Sequence, residues 1–175
     1  YTVANWYEDS VRIPFVFGKK IRIVHAPTNR VCKGSEIILQ SLERIQRRFP
    51  GEVEIVLVEN MSHSMALSVY READLVVDQI LVGWYGGLAI EVMRMGKPVA
   101  VYIREEDLQF VPRGMRKNID DAFIRISPET IDEVLCRCIA DRELLREKGE
   151  NGFQHVHKWH DPVKIARLVK EYYDA

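Results

Sequence analysis

The stretch Ala73–Tyr102, ADLVVDQILVGWYGGLAIEVMRMGKPVAVY, constrains the fold of this chain more than any other. Asp74–Val77 is a short apolar run of the kind a buried strand needs. Gly83–Gly87 is rich in glycine, with aromatic residues inside it, and reads as a loop. From Leu88 to Met95 apolar residues recur at helical spacing, and Gly96 follows as a glycine just past the helix end. Lys97-Pro98 then leads into a second apolar run, Val99–Ile103. Strand, glycine loop, helix and strand in that order leave free backbone N–H groups and the positive end of a helix dipole at Gly86, Gly87 and Leu88. Such a terminus accepts an anion, above all a phosphate, although a glycine pair also serves as a plain tight turn.

The same alternation runs through the rest of the chain. Ile21–His25 is a first strand, and Ser35 is the expected N-cap of a helix with Ile37, Ile38, Leu42, Ile45 and Phe49 as apolar positions, ended by Pro50-Gly51. Glu52–Val58 is a second strand, and Met61–Glu72 suits a helix with Met65, Leu67, Val69 and Tyr70 towards its buried side. Residues 104–114, with Glu105-Glu106-Asp107 and Pro112-Arg113-Gly114, read as a loop or lid-like excursion, and Ala122–Ile126 as a fifth strand. Three helices are expected to follow. The first starts at Pro128, capped by Ser127, and runs to about Ala140; the second is capped by Asp141 and reaches about His157. The third starts at Asp161-Pro162 and carries Val163, Ile165, Ala166, Val169 and Tyr172 as apolar positions. Strands apolar on both faces belong in a parallel sheet covered by helices. The expected fold is a single Rossmann-like, doubly wound α/β domain over residues 21–175. Residues 1–20, with a loop at Asn5–Ser10, form a linker or edge segment or fold back over the domain's own core.

The 175 residues suit one domain, and a net charge of −1 gives no general attraction to nucleic acid or an anionic membrane. No apolar run nears the roughly 20 residues that cross a bilayer, and no signal peptide opens the chain. Cys32, Cys136 and Cys138 make no disulfide framework and read as reduced thiols of a cytoplasmic protein. The chain begins at Tyr1 without a Met and is expected to be a piece of a longer protein.

Ligands of a doubly wound sheet bind at the carboxyl ends of its strands, which brings together the loops Ala26–Gly34, Glu59–Ser64 and Asp78–Leu88. The first supplies Arg30 and Lys33, with Gly34 where the chain turns into a helix. Two cations beside a helix N-terminus provide charge and backbone donors for a diphosphate, though they are equally a solvated surface pair. Glu91 sits among the apolar residues Ile90, Val92 and Met93, and a carboxylate in such a segment needs a partner, which a pair of ribose hydroxyls would provide. Neither a P-loop nor a Gly-x-Gly-x-x-Gly turn after the first strand is present, which removes most support for ATP hydrolysis and NAD chemistry. His155, His157 and His160 have neither helix-face nor zinc-finger spacing, so no metal is assigned to them.

Val82–Val99, VGWYGGLAIEVMRMGKPV, resembles the signature of the family 4 glycosyltransferases of GT-B fold. In that family a Glu-Gly-Phe-Gly-Leu-Pro-x-x-Glu-Ala-Met segment is followed by Gly-Lys-Pro-Val. Lys33-Gly34 before an amphipathic helix is similar to the family's Lys-Gly motif, and Ala73-Asp74 and His160-Asp161-Pro162 fall in the same order. The resemblance implies the C-terminal, donor-binding half of a retaining enzyme. Such an enzyme transfers a hexose from a nucleoside diphosphate-sugar to an acceptor held by a preceding N-terminal domain, without metal or cofactor, and this half alone would be inactive. It implies Lys33 as a catalytic cation facing the diphosphate; Arg30, the loop's own Arg but not at the family's Arg position, is the second catalytic candidate and would reach the phosphates by another route. It further implies Gly34, Asn60, Asp78, Gly86, Gly87, Leu88 and Glu91 as donor-binding residues, Glu91 at the ribose. Three departures stand out: Gly83 replaces the family's first Glu, Thr28 stands where an Arg is usual, and Trp84 replaces a glycine. Asp78, also at a strand end, is the candidate substitute for the missing acid. The other reading is a nucleotide-sugar-binding module without catalysis.

Overall fold

The computed structural model describes residues 12–174, apart from the side chain of Tyr172. The loop expected at Asn5–Ser10 and the apolar position at Tyr172 lie outside the described residues. The chain runs β1 (Ile21–His25), α1 (Arg30–Lys33), α2 (Ser35–Arg48), β2 (Val53–Leu57), α3 (His63–Arg71), β3 (Leu75–Val77), α4 (Gly87–Arg94) and β4 (Val99–Val101). A 3₁₀ helix (Glu105–Phe110), α5 (Arg113–Ala122), β5 (Ile124–Arg125), α6 (Ile131–Ala140), α7 (Arg142–Trp159) and α8 (Pro162–Tyr173) complete it. All strand pairs are parallel, and the order across the sheet is β2-β1-β3-β4-β5. No helix among the described residues is long and apolar enough to cross a membrane.

Strand periodicity assigns the two faces. Ile23, Leu75, Val77 and Ala100 meet α2 and α6 through Ile38, Leu42, Leu135 and Cys138. Val24, Val76, Val99 and Val101 meet α3, α4 and α5 through Tyr70, Ile90, Met93 and Ile119. α7 serves both faces, with Leu145 in one cluster and Val156 in the other. Each side chain of this kind, when fully buried, contributes about 1.5–3 kcal/mol relative to exposure, so the two-sided burial of β3 and β4 holds them at the centre of the sheet.

Five local expectations are corrected. Residues 104–114 are not an open excursion: they form the 3₁₀ helix and the start of α5. The stripe Met115, Ile119 and Ala122 that buries α5 is only three residues long within a polar sequence. Ser35 is not a cap, because its hydroxyl is engaged by His25 Nε2 at 2.8 Å, and Gly34 takes the N-cap position of α2. α6 starts at Ile131 rather than Pro128, since Ser127–Thr130 closes a turn in which Thr130 Oγ1 accepts the Ser127 N–H at 3.0 Å. Met65 is exposed, and Ala66 with Tyr70 forms the buried side of α3. Among the described side chains of α8 only Ile165 is buried, while Val163 and Val169 face solvent.

Residues 12–20 have no regular structure but are tied to the edge opposite the carboxyl ends of the strands. The Ile13 N–H donates to the Met95 carbonyl at 3.3 Å. The Phe15 ring lies under the Lys97 ammonium at 4.8 Å, and Phe17 lies under the guanidinium groups of Arg142 and Arg146. Burial pushes the Lys97 ammonium pKa below its ordinary value, against the pull of Asp74.

α7 approaches the α4–β4 turn through Gly149, where a Cβ would stand 2.3 Å from the Gly96 carbonyl oxygen. Helix propensity alone favours Gly149→Ala by about 1 kcal/mol, whereas overpacking against backbone costs about 1–3 kcal/mol. Gly149→Ala is therefore expected to lower the urea midpoint of unfolding; a raised midpoint would show that α7 does not dock on this turn.

Candidate functional site

The chain moves from β1 to β2 on one side of the sheet and then to β3 on the other, so the crevice between the carboxyl ends of β1 and β3 is the topological switch point. The first loop and the Asp78–Gly86 loop both end there. His25 closes β1, fully buried; its Nδ1 lies 2.8 Å from the Val77 carbonyl, which makes Nδ1–H the donor and leaves Nε2 to accept from the Ser35 hydroxyl. Burial lowers the His25 pKa, so this link is made by the neutral ring.

Asp78 follows β3 directly and is fully buried. One carboxylate oxygen pairs with the Lys33 ammonium, and the other accepts the Gly86 N–H at 3.4 Å. Lys33 is the last residue of α1, whose start is capped by the Asn29 side chain. Gly34 then turns the chain with φ of 68°, and a Cβ there would stand 2.6 Å from Ile80 Cγ2. The Ile80 N–H completes the join by donating to the Lys33 carbonyl at 3.0 Å. Lys33, Gly34, Asp78 and Gly86 are thus brought into one assembly.

Gly86 is the N-cap of α4, with φ of −118° and no side-chain hydrogen bond to the helix start. A Cβ on Gly86 or Gly87 would meet no atom within 4 Å. Neither backbone geometry nor packing among the described residues calls for glycine at these two positions. Their effect is to leave the N–H groups of Gly87 and Leu88 approachable by a ligand, at the positive end of the helix dipole.

Beside this terminus lies a cleft of about 610 Å³ lined by Thr28, Arg30, Glu59, Asn60, His63 and Tyr70 among others. Arg30 does not point freely at the crevice; its Nε and one terminal nitrogen bond the two carboxylate oxygens of Glu59 at 2.6 and 2.5 Å. This pairing holds the Glu59 carboxyl below its ordinary pKa. Asn60 adopts φ of 54°, left-handed, which turns the backbone at the cleft wall. Glu91 stands in the second turn of α4, half-buried, and its carboxylate accepts a hydrogen bond from His63 Nε2 at 3.0 Å. Burial, followed by the negative charges of Glu91 and Asp78, pushes the Tyr70 phenol up to about 12.

Gly83 has φ of 86°, and a Cβ there would stand 3.0 Å from a guanidinium nitrogen of Arg104. The position that carries an acid in the resembled signature is therefore a conformationally required glycine beside a cation. Sequence reasoning missed the residue that shapes this loop. Gln79 is buried, donates to the carbonyls of Trp84 at 3.1 Å and Tyr102 at 2.6 Å, and accepts from the Val82 N–H at 2.7 Å. A lone amide after a strand has no periodicity to mark it.

The histidines near the C-terminus serve the same loop from behind. The Tyr85 hydroxyl stands 2.9 Å from His160 Nε2 and 3.2 Å from His155 Nε2, while His157 Nδ1 bonds the Phe153 carbonyl at 3.0 Å. No group of three metal-ligating side chains is arranged to hold an ion among the described residues.

Solved structures share this fold. A sucrose-phosphate synthase from Thermosynechococcus elongatus matches with TM-score 0.63 and 19% identity, over 90% of this chain and 46% of that one. HepE of Anabaena, solved in complex with UDP-glucose, matches with TM-score 0.61 and 14% identity, over 89% of this chain and 49% of that one. The C-terminal domain of LpcC, a glycosyl transferase group 1 family protein from Francisella tularensis, matches with TM-score 0.60 and 16% identity, over 83% of this chain and 88% of that domain. The fold is the Rossmann-like domain of GT-B glycosyltransferases. The chain spans under half of the first two proteins, and nearly all of the third, which is itself a single domain. The sequence matches no protein-family model and no curated protein.

Burial, then the nearby His160 and Lys158, lowers the His155 pKa from 6.5 to about 3. Between those values the unfolded chain binds a proton that the folded one does not, so stability falls as pH falls through the window, by up to about 4 kcal/mol from this group. Denaturation midpoints measured from pH 7 downward should fall in the natural chain and fall less in His155→Phe; equal slopes would remove His155 from the account.

Proposed function

We propose that this chain is the donor-binding half of a retaining glycosyltransferase, which moves a hexose from a nucleoside diphosphate-sugar to an acceptor held by a preceding domain. The observation that carries the proposal is the double engagement of Asp78, which sets the Lys33 ammonium and the open N-terminus of α4 side by side at the switch point. A departing diphosphate needs that combination, a positive charge together with backbone donors that are already oriented. The cleft beside Glu59–His63 then takes the nucleoside, with the base along the Asn60 backbone and the ribose hydroxyls at Glu91. The UDP-glucose held by HepE, a protein of the same fold, agrees with this donor class. Arg30 reaches the phosphates by exchanging Glu59 for them, and the charge on the ligand substitutes for the carboxylate it leaves. The resemblance extends the proposal to family 4 and to metal-independent transfer.

Gly83 supports a second reading, a module that binds the donor without catalysis. Its φ of 86° disfavours any side chain at this position in the present loop geometry, an acidic one included. Sugar release or transfer by the full-length protein decides for the enzyme, and tight binding without turnover decides for the module.

Calorimetry with UDP, GDP and their sugars is expected to show weak binding to this chain and no transfer. Lys33→Ala should weaken the diphosphates about 10- to 100-fold and leave the free nucleosides unchanged. Because that substitution strands the buried Asp78, Lys33→Ala/Asp78→Asn is measured beside it as the matched folding control. No heat from any ligand at millimolar concentration, or equal losses for diphosphate and nucleoside, would refute the assignment.

A further inference from the structure

A second cavity, of about 560 Å³, opens on the other side of the glycine loop. Trp84 and Tyr85 form one wall, and Phe110, Val111, Pro112 and Met115 the other, with Asp107 and His160 among the lining. It belongs to the same sheet edge as the nucleotide cleft, because Trp84 and Tyr85 directly precede Gly86, while Asp107 and Phe110 lie on the 3₁₀ helix that follows β4. The volume lies within the range of small-ligand sites.

The first wall is held firmly. The Trp84 carbonyl is bound by Gln79, and its ring stacks on Tyr85 with centroids 5.1 Å apart. The Tyr85 hydroxyl is held by His155 and His160, and its ring lies 4.5 Å from Phe123. The other wall presents Phe110, whose side chain is 79% exposed. Large rings showing their surface to solvent beside a carboxylate match a ligand that is apolar on its faces and hydroxylated at its rim. A pyranose has that character. The C–H face rests on aromatic rings, and the rim hydroxyls donate to an acid such as Asp107.

We propose that this cavity is a saccharide subsite, in which a sugar ring of the acceptor lies against Trp84 and Phe110 with its hydroxyls towards Asp107. The inference rests on the proposed transferase or donor-binding role and adds to it: the acceptor class is carbohydrate, and this half of the enzyme contributes to holding it. One five-residue loop, Gly83–Gly87, then presents a stacking ring to the sugar and backbone donors to the diphosphate, which places the two reactants on adjacent residues. The Arg104 guanidinium donates to the Asp107 carboxylate at 3.4 Å, which fixes where that acceptor stands at the cavity rim.

The test is a titration of the isotope-labelled 175-residue chain, followed by the Trp84 indole N–H and the Gly86 and Gly87 amides. The probes are the methyl glycosides of glucose, galactose, mannose and N-acetylglucosamine at tens of millimolar, each with and without UDP. The expected result is a saturable shift of the Trp84 signal by at least one glycoside, with Phe110→Ala weakening that glycoside about tenfold, the factor that loss of one stacked ring produces. Phe110 is exposed, so its removal leaves the core intact, and Trp84→Phe, which keeps a ring, should retain most of the affinity. A UDP response at Gly86 and Gly87 with no glycoside response at Trp84 overturns the subsite and leaves the nucleotide site standing. Absence of both responses overturns both. A glycoside response unchanged by Phe110→Ala places the sugar elsewhere and also overturns the proposal. So do signals at Trp84 that change with protein concentration but not with sugar, which would assign Phe110 to contact between copies of the chain.

Discussion

The carboxylate of Asp78 is the interaction on which the site depends. It is buried at the end of β3 and joins two segments that are far apart in sequence, Lys33 after β1 and Gly86 before α4. A buried ion pair adds little net stability, because desolvation of both charges offsets their attraction. What the pair supplies is position. Without it the ammonium has no fixed place beside the helix N-terminus, and the glycine loop loses an anchor for its last N–H. The His25–Ser35 link below it and the Gly34 turn beside it bring α1 and α2 to the same point.

Under the proposed function, a diphosphate would enter by exchange rather than by filling a bare cationic hole. Lys33 is paired with Asp78, Arg30 with Glu59, and His63 with Glu91. The Arg30–Glu59 pair is largely solvated and opens at little expense in free energy. The Lys33–Asp78 pair is sequestered and stays, leaving the remaining ammonium donors for the ligand. The exposed pair thus suits recognition and the buried one suits positioning.

Much of this was legible in the sequence, for identifiable reasons. β1 matched expectation to the residue and β3 to within one, because apolar runs bounded by polar loops leave no other register. Asp141 caps α7 as read, and α8 starts at the expected Asp161-Pro162 with Asp161 as its cap, since such signals act within three residues of themselves. α5 was missed because its buried stripe is short and its surface polar. Glu91 was rightly expected to have a partner, but the partner is His63 from α3, which no local pattern announces. The Gln79–Tyr102 bond and the Tyr85–His155–His160 cluster were invisible for the same reason: those bonds reach across 23 to 75 positions of chain.

The sequence alone determined the alternation of strands and helices, the parallel sheet and the glycine-bounded helix start, because each follows from steric and hydrophobic rules acting over a few residues. Only the tertiary structure decided which charges are paired. It also showed that Gly83 is held beside Arg104 where the resembled signature has an acid, and that the glycine loop separates two cavities. Those outcomes depend on distances between segments that the sheet order brings together, and sheet order is a property of the folded chain as a whole.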